Sequence, residues 1–280
     1  METTHTKRVI TFLILLAVLT GISHILPAVG ILKSNMAPLL IMWSPGLAAL
    51  ATIIITKLPF KTIGWKFSIK WIAIGWSIPV IYSFAAYSLV WISGLGGVPN
   101  PTFLERARFT LGMPASPEWI IIISAFFYIT LINLIPAAVM SLGEELGWRG
   151  FLVPGLSKTS GFKKASWLSG IIWAIWHLPG ILSGEYLSDG TPLLYQISCF
   201  LLMVVSTGII LAWLRMKSNS IWPAVVFHAT HNGVIQMFFN RITIDTGHTS
   251  YFTGEFGIAL IPFTLLGAWY FYRRSGEIES

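Results

Sequence analysis

Charge is what this sequence has least of. Asp, Glu, Lys and Arg make up 10% of its 280 residues, against about 25% in an ordinary soluble domain. Hydrophobic residues make up 55%, and the mean hydropathy is +0.74. So little charge cannot coat a water-facing surface, which argues against a soluble domain and places the chain in lipid. Cysteine is nearly missing as well. The lone Cys199 lies in an apolar run and can form no internal disulfide, so it gives no redox compartment and reads as a small core residue. No Asp lies in any apolar run, and neither His-Glu-x-x-His nor Gly-x-Ser-Gly occurs. Aspartyl and serine intramembrane proteolysis therefore lack their residues, since Ser169-Gly170 and Ser183-Gly184 stand outside the required setting, and the missing His-Glu-x-x-His weighs against zinc. Internal repeats and low-complexity tracts are absent too, which argues against a transporter built from paired halves.

What is present is a series of long apolar runs. A helix needs roughly 20 apolar residues to cross the hydrocarbon core. Candidates are 9–26, 37–55, 71–92, 119–142, 167–181, 193–214, 221–239 and 256–272, none of which holds Asp, Glu, Lys or Arg. The first follows Lys7 and Arg8 like a signal peptide, but exceeds the roughly 7–15 apolar residues of one and reads as a retained helix. The expected fold is therefore all-α, a polytopic bundle of about eight transmembrane helices forming one integral membrane domain over 1–280.

The basic residues orient it. With the N-terminus cytoplasmic, Lys33, Arg106, Arg108 and Arg241 fall in outer segments and the other 14 of the 18 Lys and Arg in inner ones. This asymmetry favours cytoplasmic N- and C-termini, and it assigns the +7 net charge to orientation rather than to nucleic acid. The short fifth run is needed for the pattern, because deleting it would move Arg215 and Lys217 outside. Trp71, Trp119 and Trp167 open spans and Trp91 closes one, as interfacial anchors do. The longest loop, 94–118, is expected to hold an interfacial amphipathic helix near 103–111.

Ionisable residues at membrane depth are costly, so each is a candidate for function. Glu144-Glu145-Leu-Gly-Trp-Arg149 closes the fourth run. Glu145 and Arg149 are four apart on a helix and can pair, while Glu144 is rotated about 100° away and stays available as a base. The bland alternative is a solvated salt bridge at a helix end. His177 ends Trp173-Ala-Ile-Trp-His177, about 15 Å below Trp167. A lone His there could equally be held by a neighbouring carbonyl. His228 and Asn232 are i and i+4 on one helix face, about 10 Å in, with His231 beside them. An imidazole and an amide there can donate to an oxyanion, or merely bond between helices. The weight lies in the set, since all three groups fall at matching depth, in the middle or cytoplasmic half. His24 reads as structural or interfacial, and His5 and His248 lie outside the spans.

Taken together, Glu144-Glu145…Arg149, Trp173…His177 and His228…Asn232 resemble the hallmarks of the CPBP family of intramembrane proteases, named for CAAX proteases and bacteriocin-processing enzymes. The resemblance spans about 141–236, within a protease core of about 119–240, and Gly150-Phe151-Leu152 adds to it. Trp173 departs from the family's more usual Phe at what reads as a packing position. The resemblance implies an intramembrane endopeptidase cleaving near the cytoplasmic face of the cell membrane, with a peptide or membrane-protein substrate, CAAX-type and prenylated or otherwise. Glu144 would activate water with help from His177, His228 and Asn232 would stabilise the oxyanion, and Glu145 would support the site through Arg149. A metal-free glutamate mechanism is favoured. The metalloprotease alternative would place zinc on Glu144, His177 and His228. A non-catalytic membrane scaffold or bacteriocin-immunity protein of the same fold is the competing reading.

Overall fold

The computed structural model describes residues 2–279, apart from the side chains at 2–4, 34 and 279. Its long helices are α1 (Glu2–Ala28), α2 (Ala37–Ile55), α3 (Ile69–Ile92), α7 (Val153–Leu182), which continues from α6 (Leu134–Glu145), and α8 (Leu193–Ser218). Shorter ones are α4 (Pro101–Leu111), α5 (Glu118–Phe127), α9 (Trp222–Asn232), α10 (Asn240–Ile242), α11 (Ile261–Arg273) and α12 (Gly276–Glu279). No strand occurs among the described residues. Among the described residues five helical stretches are long and apolar enough to cross a membrane: His5–Ala28, Ala37–Ile55, Ile69–Ile92, Leu134–Leu182 and Leu193–Ser218. Ile10, Ile54, Ile81, Ile135 and Leu266 face outward while Glu144, Glu145, Arg149 and Arg215 are buried. That arrangement is inside out relative to a soluble protein, and it is the signature of a polytopic bundle in lipid.

The expected interfacial helix is α4. Asn100 caps it, its Oδ1 accepting from the Thr102 N–H at 3.0 Å, and Leu104 and Ala107 turn inward. At the other end of the chain, the helix expected over 256–272 forms only as Ile261–Arg273.

The expected end of the fourth span at Glu144–Arg149 is corrected. The backbone stays right-handed helical through Glu145, Leu146 and Val153, and the π-helical turn Leu146–Leu152 joins α6 to α7 without a break. The reversal falls at Gly161, whose φ of +74° a side-chain-bearing residue rarely adopts. Nothing between Glu145 and Ser160 stops a helix except Pro154, and a proline in the first turn of a helical segment is tolerated. Glu144, Glu145 and Arg149 are therefore not at a solvated helix end but inside the bundle.

Two close backbone approaches fix their depth. A Cβ on Gly46 would lie 2.5 Å from the Gly143 carbonyl oxygen, and one on Gly147 would lie 2.5 Å from Pro45. Small residues let α2 and α6 touch at this crossing, as in membrane bundles generally, and Glu144 is thereby level with the middle of α2. Behind it stands α8, buried on nearly every face from Ser206 to Arg215 and packed by α7, α9 and α11.

Gly46→Ala should therefore lower the melting temperature in detergent, at a cost of about 1–3 kcal/mol for overpacking. Gly21→Ala, where nothing lies within 4 Å of the added carbon, serves as the control. Equal melting of the two variants would contradict the close crossing.

Candidate active site

Glu145 sits at the base of the site. Its Oε1 accepts from Arg149 Nη1 at 2.9 Å, the expected i,i+4 pair, and also from His228 Nδ1 at 2.9 Å. Glu145 and Arg149 are 0% and 1% exposed, so the pair is not the solvated bridge that sequence alone allows. A desolvated carboxylate needs such partners. The Arg149 guanidinium also lies 4.2 Å from the Trp173 ring centre, a cation–π contact that further accommodates the buried charge.

Glu144 points to the other side. Its Oε2 accepts from Trp173 Nε1 at 2.7 Å and from Trp148 Nε1 at 3.2 Å. Trp173 is thus more than the packing residue the sequence suggested, because its indole N–H holds the carboxylate in place. His177 shares its Nδ1 with the Trp173 carbonyl at 2.9 Å. A carbonyl only accepts, so Nδ1 carries the proton and Nε2 is the free nitrogen. His228 is fixed the same way by Glu145, a carboxylate that also only accepts. Its ring stands edge-on to Trp173 at 5.4 Å.

Glu144, His177, His228 and Asn232 line one cavity of about 590 Å³. Its other walls are largely apolar, including Ile41, Met42, Phe200, Met203, Val204 and Phe227. Glu145 and Arg149 stand behind the wall rather than on it. His24, read as interfacial, also lines this cavity and pairs with Glu185 at 3.4 Å. His5 and His248 take no part in it, and Cys199 is a buried residue of α8.

Sequence reasoning missed a second polar set on the same cavity. Glu255 is buried, and accepts from His231 Nε2 at 3.0 Å, from Gln236 Nε2 at 2.9 Å and from the Tyr186 hydroxyl. The Tyr82 hydroxyl meets the other nitrogen of His231. Glu255 falls one residue before the apolar run 256–272, so a count of charges inside the runs passes over it. Its adjacency to a run was the only signal available.

The cavity also bears on orientation. It reaches from Glu144 and His228 to His24, Glu185, Tyr186 and Glu255, at the bundle end away from both termini. Lys217, at the end of α8, pairs instead with Glu277 beside the C-terminus. The helix carrying Glu144 runs on to Ser160 rather than ending at Arg149, so the site lies within the bundle and not at a helix end.

A zinc ion on Glu144, His177 and His228 would use the second Glu144 oxygen and Nε2 of each imidazole, because Oε2 of Glu144 takes two indole N–H groups and Nδ1 of each ring is held by the Trp173 carbonyl or by Glu145. Among the described residues no group of three or more His, Cys, Asp or Glu is spaced to hold a metal ion.

Comparison with known proteins gives two findings. A family model described as Rce1-like, type II CAAX prenyl endopeptidase, matches residues 123–234, the stretch that carries Glu144, His177, His228 and Asn232. The chain is also 31% identical over 196 residues to CAAX prenyl protease 2 of Methanococcus maripaludis, covering 66% of this chain and 67% of that protein.

Trp173→Phe keeps the ring and deletes the N–H. A hydrogen bond to a charged group contributes about 1.5–3 kcal/mol, so turnover should fall roughly 10- to 100-fold with the fold retained by circular dichroism. Unchanged turnover would return Trp173 to a packing role.

Proposed function

Since the chain belongs to the Rce1-like type II CAAX prenyl endopeptidase family, we propose that its cavity is the active site of an intramembrane endopeptidase of the glutamate type. The observation that carries this reading is the shared cavity of Glu144, His177, His228 and Asn232, with one Glu144 oxygen held by two indoles and the other left for water.

In the proposed reaction a water donates a proton to Glu144 as its oxygen attacks the scissile carbonyl carbon. His177 Nε2, free to accept, orients that water from the second side. The carbonyl oxygen becomes an oxyanion. It receives N–H donors from the Asn232 amide and from Nε2 of a doubly protonated His228, whose Nδ1–H stays on Glu145. Glu144 then passes its proton to the amide nitrogen, the C–N bond breaks, and a carboxylic acid and an amine leave. Glu145 and Arg149 never meet substrate and act by holding His228 and Glu144's helix in register. No step calls for a metal.

The mostly apolar wall of the cavity fits an aliphatic or prenyl group next to the cleaved bond, which supports a lipidated C-terminal CAAX-type peptide as the substrate class. The relative's name points the same way. The scaffold or immunity reading is disfavoured because nothing in a scaffold requires a carboxylate aimed into a cavity at this depth. Because α8 is long and apolar enough to span the membrane, the Glu185 end of the cavity and Lys217 at the far end of α8 are placed on opposite sides of it.

Two measurements test this. Purified wild type and Glu144→Gln, matched in circular dichroism and melting, are incubated with farnesylated and unmodified C-terminal peptides and with leader peptides, with and without chelator. Cleavage products by mass spectrometry from wild type alone, indifferent to chelator and at least about 1,000-fold reduced in the variant, are expected. Cleavage by both proteins removes Glu144 from the mechanism, and loss on chelation restored by zinc removes the metal-free route. Separately, single cysteines at Glu185 and Lys217 in a Cys199→Ala background should react with a membrane-impermeant thiol reagent from opposite sides of the membrane. Labelling from the same side contradicts the orientation of the cavity.

A further inference from the structure

A second cavity, of about 540 Å³, lies away from the first between α4, α5, the π-helical turn Gly233–Phe239 and α10. It carries two arginines, Arg106 on α4 and Arg241 in α10, and no Asp or Glu lines it. Among the described residues neither guanidinium has an ion-pair or hydrogen-bond partner. Arg108, by contrast, is committed to the Ser116 carbonyl. The amides around the two cations are aimed. Asn100 Oδ1 accepts from the Thr102 N–H and Asn240 Oδ1 accepts from the Tyr87 hydroxyl. Each oxygen is used. Asn100 Nδ2 gives one N–H to the Thr243 carbonyl at 3.5 Å, which leaves its second N–H and the Asn240 amide N–H groups as donors.

A second observation comes from the charge count. The chain keeps 14 of its 18 basic residues on the terminal side, yet two of the four outside that group share this one cavity. Two cations that line one cavity, against the orientation bias and with no carboxylate in the lining, favour an anion there. The remaining lining includes Phe103, Leu111, Ile129 and Met237, and the neighbouring Phe109, Leu131 and Ile132 are exposed in the manner of lipid-facing residues. The site therefore pairs a cationic, amide-rich end with an apolar flank.

We propose that this second cavity binds a phosphate group, held between Arg106 and Arg241 with the amides of Asn100 and Asn240, as the headgroup of an anionic phospholipid whose chains lie on the Phe103–Leu111 flank. Guanidinium forks match phosphate oxygens two at a time, and an exposed Arg of an interfacial helix is placed at headgroup level.

The test uses the full chain in neutral detergent. Phosphatidylglycerol is titrated against phosphatidylcholine, and inorganic phosphate is titrated separately, with melting temperature as the readout. The wild type should be stabilised by phosphatidylglycerol and little by phosphatidylcholine. Arg106→Gln and Arg241→Gln should each raise the half-saturating concentration about three- to tenfold, and the double variant should abolish the shift. Lys33→Gln, on the same side but outside the cavity, should leave it intact, and Arg→Lys variants, which keep the charge, should retain part of it and report that the fold survives. Saturable stabilisation by inorganic phosphate alone, lost in the same variants, keeps the phosphate site and replaces the lipid by a free ion. No stabilisation of the wild type by either, or equal stabilisation of the wild type and the double variant, overturns the proposal.

Discussion

Placing a carboxylate inside an apolar bundle is the constraint around which the middle of this protein is arranged. A lone buried charge is costly in a low-dielectric interior, and two adjacent ones are costlier. Glu145 meets the problem by sharing one oxygen between Arg149 and His228. Glu144 meets it by taking indole N–H groups from Trp148 and Trp173. The same contacts hold the rings and the carboxylate in fixed directions, so the interactions that make the buried charges tolerable also align the groups proposed to react. Arg149 joins the two arrangements, paired with Glu145 and lying over Trp173.

The backbone serves this arrangement. Close contact of α2 with α6 requires Gly46, Gly143 and Gly147, and it brings the Glu144 turn against a neighbour without room for intervening side chains. The adjoining turn Leu146–Leu152 is π-helical, as is Gly233–Phe239 just after Asn232. Such bulges often occur at functional sites, where they re-aim side chains at the expense of regular hydrogen bonding. Both stand directly beside candidate site residues.

Much of this was legible in the sequence, for identifiable reasons. Spans without a single charge declare themselves by composition, and residues such as Glu144, His177 and His228 stand out against that background because lipid tolerates so few of them. The i,i+4 relation of Glu145 and Arg149 follows from helix geometry, and the pair forms as expected. Three things were not legible. The helix does not end at Arg149, because a charged sequence looks like a terminus when its burial partners are far away in the chain. The Trp173 indole serves Glu144 through a contact 29 residues distant, which no local pattern encodes. Glu255 escaped because it precedes an apolar run by one position, and its partners His231, Gln236 and Tyr186 come from two other segments.

The account rests on Glu145 acting through His228 rather than on substrate. Its most direct test is the single-turnover cleavage rate of Glu145→Gln, measured with substrate affinity and melting temperature on the same preparation. The amide keeps the volume but no longer holds His228 as an ion-paired donor. The account predicts a cleavage step slowed at least about 100-fold, of the order found when an oxyanion donor is lost, with affinity within a few-fold of wild type. A cleavage step at the wild-type rate, with only the melting temperature lowered, would contradict it and leave the Glu145–Arg149–His228 cluster as a structural element of the bundle.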